Sequence, residues 1–225
     1  MAAIWQPPQT EAMAEFERER ARMVDEQLAG RDIDDPRVLA AMRSVPRHRF
    51  VTPRQAAAAY EDHPLPIGNG QTISQPYIVA LMCQAARVRA GDRVLEIGTG
   101  SGYAAAVLGE LAAEVHTVER HSELARAATR ALQPWPNVHV HEGDGTLGLP
   151  ECAPFDAVLV TAAGPDVPEP LVEQLGEGGR LVIPVGEPRF GQQLIRLTLQ
   201  GDELLRDRLM PVVFVPLIGR HGTAP

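Results

Sequence analysis

The chain has 225 residues, 44% of them hydrophobic, and a formal net charge of −8, with 21 basic residues that are all arginine. That length suits one large α/β domain, alone or with an added arm, and the apolar share is ample for a core. The acidic balance lacks the basic excess or stripe of a duplex-binding protein, and no run approaches the roughly 18 apolar residues of a membrane span.

The N-terminal ten residues lack the basic start and apolar centre of a signal peptide. The two cysteines, Cys83 and Cys152, are far apart and have no C-x-x-C partner, so they read as reduced core thiols of a cytoplasmic protein. Residues 13–29 carry helical periodicity with alternating charge. Asp35 and Pro36 form a helix start, a cap and then a first-turn proline, for residues 36–44. Pro46 and Pro53 interrupt regular structure around residues 47–51, and residues 56–59 form a short helix-prone run. A polar, glycine- and proline-containing segment, 62–75, follows and feeds directly into a helix over 76–87. Such a long irregular segment in a compact protein points to function, and it reads as an ordered loop over a site.

Residues 94–103, VLEIGTGSGY, read as a buried strand that breaks into a glycine turn and enters a helix at 104–111. Val94, Leu95 and Ile97 suit a parallel strand covered on both faces. Gly98, Gly100 and Gly102 let a ligand lie against bare backbone, with the helix N–H groups aimed at it. Thr99 and Ser101 lie in the same turn. Glu96 stands where a structural strand prefers an apolar residue, and its carboxylate can accept from an amine-bearing ligand. A nicotinamide dinucleotide fingerprint needs a third small residue, and the two ways of aligning it place Tyr103 or Ala105 there. That weakens this reading without removing it. The E-x-G-x-G-x-G form instead resembles motif I of the S-adenosylmethionine-dependent methyltransferases.

Residues 114–118 read as a second strand, and Glu119 stands just past its end. A carboxylate there takes ribose hydroxyls in nucleotide-binding βαβ units; a solvated charge ahead of the helix 121–132 is the plain alternative. A third strand, 137–141, leads to Gly143-Asp144-Gly145. Asp144 can reach an adenine amino group beside Gly145, or simply form an Asp-Gly turn. His139 and His141 share a strand face and read as polar positions, since no ligand cluster accompanies them. Beyond these come a strand at 155–160, a helix at 168–175, a strand at 180–185, and two β runs at 192–199 and 211–217. The order resembles the seven-strand plan of class I methyltransferases. The expected fold is therefore α/β and Rossmann-like: a mostly parallel seven-stranded sheet with helices on both faces, plus an N-terminal helical arm and loop.

The sequence closely resembles the protein-L-isoaspartate O-methyltransferase family, over about residues 20–218. The matching pieces are MVDEQL at 23–28, DPRVLAAM at 35–42, VPRHRFV at 45–51, YEDHPLPI at 60–67, GQTISQP at 70–76, FDAVLVTAA at 155–163 and GGRLVIPVG at 178–186. The first glycine motif is generic, whereas residues 70–76 together with 46–50 are specific. Departures are Asp32 where the family has glycine, an extra Thr52, and residues 1–19, which have no recognised counterpart. The resemblance implies S-adenosylmethionine as methyl donor, S-adenosylhomocysteine as product, and isoaspartyl-containing proteins and peptides as substrates. Charge, hydropathy and motif spacing lead us to expect neither nucleic-acid nor membrane partners and no metal, and a monomer is expected. The expected division is an extension at 1–19, disordered or helical, a helical and loop subdomain at 20–89 over the site, a cofactor-binding core at 90–218, and a tail at 219–225.

The implied chemistry asks little of acids and bases. A carboxylate is already ionised at pH 7, so no general base is needed, and the protein must align atoms and exclude water. A neutral hydroxyl holds a carboxylate without blunting it. Ser74 is the candidate, against the alternative of an N-cap for the following helix. The cofactor set is Glu96, Gly98, Thr99, Gly100, Ser101, Gly102, Glu119, Asp144, Gly145 and Thr161. The substrate set is Ile73, Ser74, Gln75, Ala162 and Ala163, with backbone N–H groups of the turn 161–163 binding an extended peptide. Two further readings are a relative that methylates normal aspartate, and a non-catalytic cofactor-binding module.

Overall fold

The computed structural model describes residues 9–187 and 191–224. Helix α1 (Gln9–Arg22) continues into a π-helical turn, Met23–Ala29, whose Met23, Val24 and Leu28 are buried. Residues 9–19 of the expected extension are therefore helical, and residues 1–8 lie outside the described residues. Helix α2 (Pro36–Ser44) starts as its sequence dictates: Pro36 opens the first turn and Asp35 accepts from the Arg37 N–H at 2.9 Å.

The segment read as an irregular loop is better ordered than its composition suggests. Strands β1 (Leu65–Gly68) and β2 (Gln71–Ile73) pair as an antiparallel hairpin, with Leu65 opposite Ile73 and Pro66 opposite Thr72. Asn69 and Gly70 at its tip have φ of 50° and 70°, the left-handed pair that a two-residue hairpin turn requires. The strands are too short and too rich in Pro and Gly for alternation to announce them. Helix α3 (Pro76–Ala85) follows two residues later.

The main sheet is built from β3 (Arg93–Ile97), β4 (Glu114–Glu119), β5 (Val138–Glu142), β6 (Phe155–Val160), β7 (Leu175–Glu187), β8 (Gly191–Gln200) and β9 (Glu203–Val212), in the order β5-β4-β3-β6-β7-β8-β9. Strands β3 to β7 are parallel; β8 runs against both neighbours, so β9 resumes the common direction. Helices α4 (Tyr103–Leu111), α5 (Ser122–Ala131) and α6 (Glu169–Glu173) fill the crossovers.

Period-2 alternation sends neighbouring residues to opposite faces. Val94, Val115, Leu159 and Val182 share one core with Met42, Val79, Cys83 and Val107 of α2, α3 and α4. Leu95, Val118, Phe155, Val158 and Leu181 form the other with Leu171 of α6 and Leu217. Two corrections concern the C-terminal half. The helix expected at 168–175 is shorter, Glu169–Glu173, because β7 already begins at Leu175 and runs through Gly178-Gly179. The last strand lies at Glu203–Val212, not 211–217. It is an edge strand with residues 203–208 exposed, so it needs no apolar run, whereas the apolar run beyond it has another task.

At the far end of α3, Arg180 of β7 is buried. Its Nε donates to Ala86 O at 2.8 Å, its Nη2 to Arg87 O at 2.9 Å, and it pairs with Asp92. These bonds satisfy carbonyls that the helix end leaves without partners.

Candidate active site

The site lies beyond the C-terminal edge of β3, β4 and β6, where strand order reverses on either side of β3. This is the ligand crevice of open α/β sheets. Gly98, Gly100 and Gly102 all have positive φ, at 97°, 54° and 91°. At Gly98 a side chain would also collide with the Thr161 hydroxyl, so both conformation and close approach demand glycine. Thr161 Oγ1 donates to Ile97 O at 3.0 Å and Gly98 O at 2.8 Å, which ties the turn to the end of β6.

Glu119 is 5% exposed and accepts from Gly100 N at 2.8 Å with one oxygen and from His121 N at 2.9 Å with the other. A carboxylate has about four acceptor sites, so Glu119, fixed on the cleft wall, retains acceptor capacity. The cleft of about 580 Å³ is lined by Gly98, Gly100, Glu119, His121, Gly145, Thr161 and Ala162, and roofed by residues 215–218 and by Gln71 and Thr72 of the hairpin.

A smaller hollow continues the cleft past Thr99, Ser101, Ile73 and Ser74. It opens toward a groove of about 1350 Å³ lined by Ser74, Gln75, Ile78 and the run 210–215. Thr72 and Thr161 line all three spaces. Cleft and groove therefore meet at these two threonines, with Ser74 beside them. The N-cap of α3 is Gln75, and that helix has no side-chain cap, so the Ser74 hydroxyl does not serve as one.

Several expected site residues sit differently. Glu96 is fully buried behind the turn and does not line the cleft. Its Oε2 accepts from the Thr117 hydroxyl at 2.6 Å, and Thr117 lies 2.6 Å from the Thr99 hydroxyl, so Glu96 braces the turn from behind. Its Oε1 has no partner among the described residues. Burial pushes its pKa up to about 8; the Thr117 bond opposes the shift and the nearby Glu119 charge adds to it. Asp144 also stands off the cleft. Its Oδ1 accepts from the N–H and hydroxyl of Thr146, and its Oδ2 from Arg220 N at 2.8 Å, holding the tail rather than facing a ligand. The turn 161–163 is largely engaged as well. Thr161 N donates to Ile97 O and Ala163 N to Val215 O, while Leu217 N donates back to Ala163 O. Residues 215–217 of the protein itself thus occupy the edge expected to receive a peptide, which leaves the Ala162 N–H without a backbone partner among the described residues.

Thr72, His121 and the run 210–218 escaped sequence reading. Only the apolar composition of 211–217 signalled anything, and it pointed to a strand.

A family model described as protein-L-isoaspartate(D-aspartate) O-methyltransferase matches residues 18–222. A protein from Pelobacter propionicus named protein-L-isoaspartate O-methyltransferase 2 is 58% identical over 209 residues, covering 92% of this chain and 93% of its own. Among solved structures, one titled protein-L-isoaspartate O-methyltransferase superposes with a TM-score of 0.80 at 28% identity, over 92% of this chain and 67% of its own. A beta-aspartate methyltransferase of the same type from Plasmodium falciparum, in complex with S-adenosyl-L-homocysteine, gives 0.78 at 27% identity, over 88% and 98%.

Proposed function

The chain belongs to the protein-L-isoaspartate(D-aspartate) O-methyltransferase family, and from that premise we propose how its residues divide the work. The protein is an S-adenosylmethionine-dependent carboxyl O-methyltransferase whose acceptor is the free α-carboxylate of an L-isoaspartyl residue. The methyl donor supplies an electrophilic methyl on a sulfonium. The observation that carries the assignment of residues is the meeting of cleft and groove at Thr72 and Thr161, with Ser74 at the junction.

The cleft fits the donor. Its wall at Gly98 and Gly145 is glycine because a Cβ would strike the protein's own Thr161 and Ile97 respectively, and these glycines present only backbone to the cleft they line. Glu119, already anchored by two N–H groups, receives ribose hydroxyls. Thr99 and Ser101 shape the end nearest Ser74. Glu96 acts from behind through Thr117 and Thr99, and Asp144 by holding the roof; Gly145 and Ala162 form the wall.

The groove receives the peptide. Its lining of Ile78, Met210, Val212, Phe214 and Val215 carries no charge, so flanking apolar residues bind there. Ser74 donates to the substrate carboxylate and Gln75 and Ile73 shape the bend. The Ala162 N–H is the backbone donor left for the substrate; Ala163 contributes by anchoring residues 215–217. Since the carboxylate is ionised far below pH 7, no residue has to remove a proton. Residues 20–89 supply the hairpin and α3 that cover the core formed by 90–218. The ester then closes to a succinimide, and repair of damaged proteins follows from the substrate's own chemistry.

The test is methyl transfer from labelled donor to a matched peptide pair, one isoaspartyl and one aspartyl. Transfer confined to the isoaspartyl peptide is expected; equal labelling of both, or of neither, overturns the reading.

A further inference from the structure

We propose that Asn69–Gly70, the tip of the β1–β2 hairpin, is a site of spontaneous conversion that puts an isoaspartyl residue on the enzyme's own active-site hairpin. The protein has two asparagines, Asn69 and Asn137, and their surroundings are opposite. Asn137 uses its amide group to donate to Gly109 O at 2.9 Å and Ala112 O at 3.2 Å, and a β-branched Val138 follows it. Asn69 is exposed, its amide group has no hydrogen bond among the described residues, and Gly70 follows with open space where a Cβ would stand. The hairpin turn selects the Asn-Gly pair because both positions need positive φ. The same pair leaves the Gly70 nitrogen without the shield of a neighbouring Cβ.

The reaction needs no co-reactant beyond water. The Gly70 backbone nitrogen attacks Asn69 Cγ and forms a new C–N bond. The bond from Cγ to the amide nitrogen Nδ2 breaks, and that nitrogen leaves as ammonia with the proton from Gly70. Water opens the resulting five-membered imide at either carbonyl, giving an aspartyl or an isoaspartyl residue. The isoaspartyl form lengthens the main chain by one methylene inside a two-residue turn whose register places Gly68 opposite Gln71 and Pro66 opposite Thr72. Gln71 and Thr72 line the cofactor cleft, so the conversion distorts the roof of that cleft and adds a negative charge beside it.

The damaged residue cannot treat itself. It sits three residues from Thr72, at the tip of a hairpin that is itself a wall of the junction, and that hairpin cannot also enter the groove. Methylation of residue 69 therefore falls to a second copy of the enzyme. This last step rests on the proposed function; the conversion itself does not.

The full-length protein is aged for days in warm, mildly alkaline buffer and mapped by mass spectrometry, beside Asn69→Ser. Conversion is expected at Asn69 with Asn137 unchanged, and wild-type activity should fall in step while Asn69→Ser retains its own. Conversion of Asn69 no faster than Asn137, or equal loss of activity in both proteins, overturns the site. Aged wild type is then mixed with fresh Asn69→Ser enzyme and labelled methyl donor. Label should enter residue 69 at a rate proportional to fresh enzyme. Absence of label from converted protein overturns repair by a second copy, and failure of the fresh enzyme on an isoaspartyl peptide would instead indict the proposed function.

Discussion

Gln192 grips the peptide group of Phe214 from both sides: its Nε2 donates to Phe214 O at 3.2 Å, and Phe214 N donates to its Oε1 at 2.6 Å. Gln192 is 5% exposed. With the Ala163–Val215 and Leu217–Ala163 bonds, it turns an otherwise unpaired stretch into the wall that cleft and groove share. Gln192→Ala leaves the Phe214 groups without partners, a cost of about 1–3 kcal/mol. Val215 lines both spaces, so peptide KM should rise and donor affinity fall together. Gln192→Glu keeps an acceptor for Phe214 N but not a donor for its carbonyl, and should lie between. Calorimetric titration and steady-state kinetics on both variants check this; an effect on stability alone would refute the shared wall.

Glu119→Ala removes the anchor of Gly100 N and His121 N as well as the acceptor facing the cleft. Donor affinity should drop by about 1–3 kcal/mol, the scale of hydrogen bonds to a charged group. Gly98→Ala should abolish binding, since the added methyl meets Thr161 and φ is 97°. Titration with S-adenosylhomocysteine reads both; unchanged affinity in Glu119→Ala would remove Glu119 from the site.

Ser74 separates chemistry from folding. Helix α3 has no side-chain cap, so Ser74→Ala should leave the melting temperature unchanged while lowering kcat/KM for an isoaspartyl peptide. Ser74→Asp sets a negative charge against the substrate carboxylate and should be worse than alanine, with donor affinity intact. Turnover of Ser74→Asp at the wild-type rate would place the carboxylate elsewhere, nearest the Ala162 N–H.

Glu96 makes stability depend on pH. Its folded pKa is raised from 4.5 to about 8 by burial, so between those values the folded protein holds a proton that the unfolded state has released. The stability this group contributes is then lost as pH rises through that window, and levels off above about pH 8. Glu96→Gln stays neutral throughout. Melting curves across the window should show wild type losing ground to Glu96→Gln as pH rises, whatever their offset at low pH. Parallel curves would mean that Glu96 is ionised in the fold.

Local features were legible in sequence because their causes are local. The glycine turn, the cap at Asp35 and the carboxylate that ends β4 announce themselves through backbone conformation and spacing. The groove was not legible, because its wall is made by residues that return to Ala163 only after β9 has turned the backbone back. The same apolar run, 211–217, would suit an edge strand or a wall, and periodicity cannot choose between them. Glu96 and Asp144 were placed correctly along the sequence but not in depth: which side of a turn a carboxylate occupies depends on Thr117 and on the tail at Arg220, neither adjacent in sequence. Thr72 gave no signal, since its importance comes only from where the hairpin lands.

Arg180 gives the site a dependence on distance. It clamps the carbonyls at one end of α3, while Ser74 and Gln75 precede the other end, about 15 Å away for a ten-residue helix. A helix held at its far end sets the height and rotation of what it presents at the near one. In an unbiased mutational survey scored by turnover, Arg180 and Asp92 would rank beside Ser74, although neither touches the cleft or the groove. Lysine at 180 could replace the charge but not the two-pronged donation to Ala86 and Arg87, so even that exchange would register as a lesion of the active site.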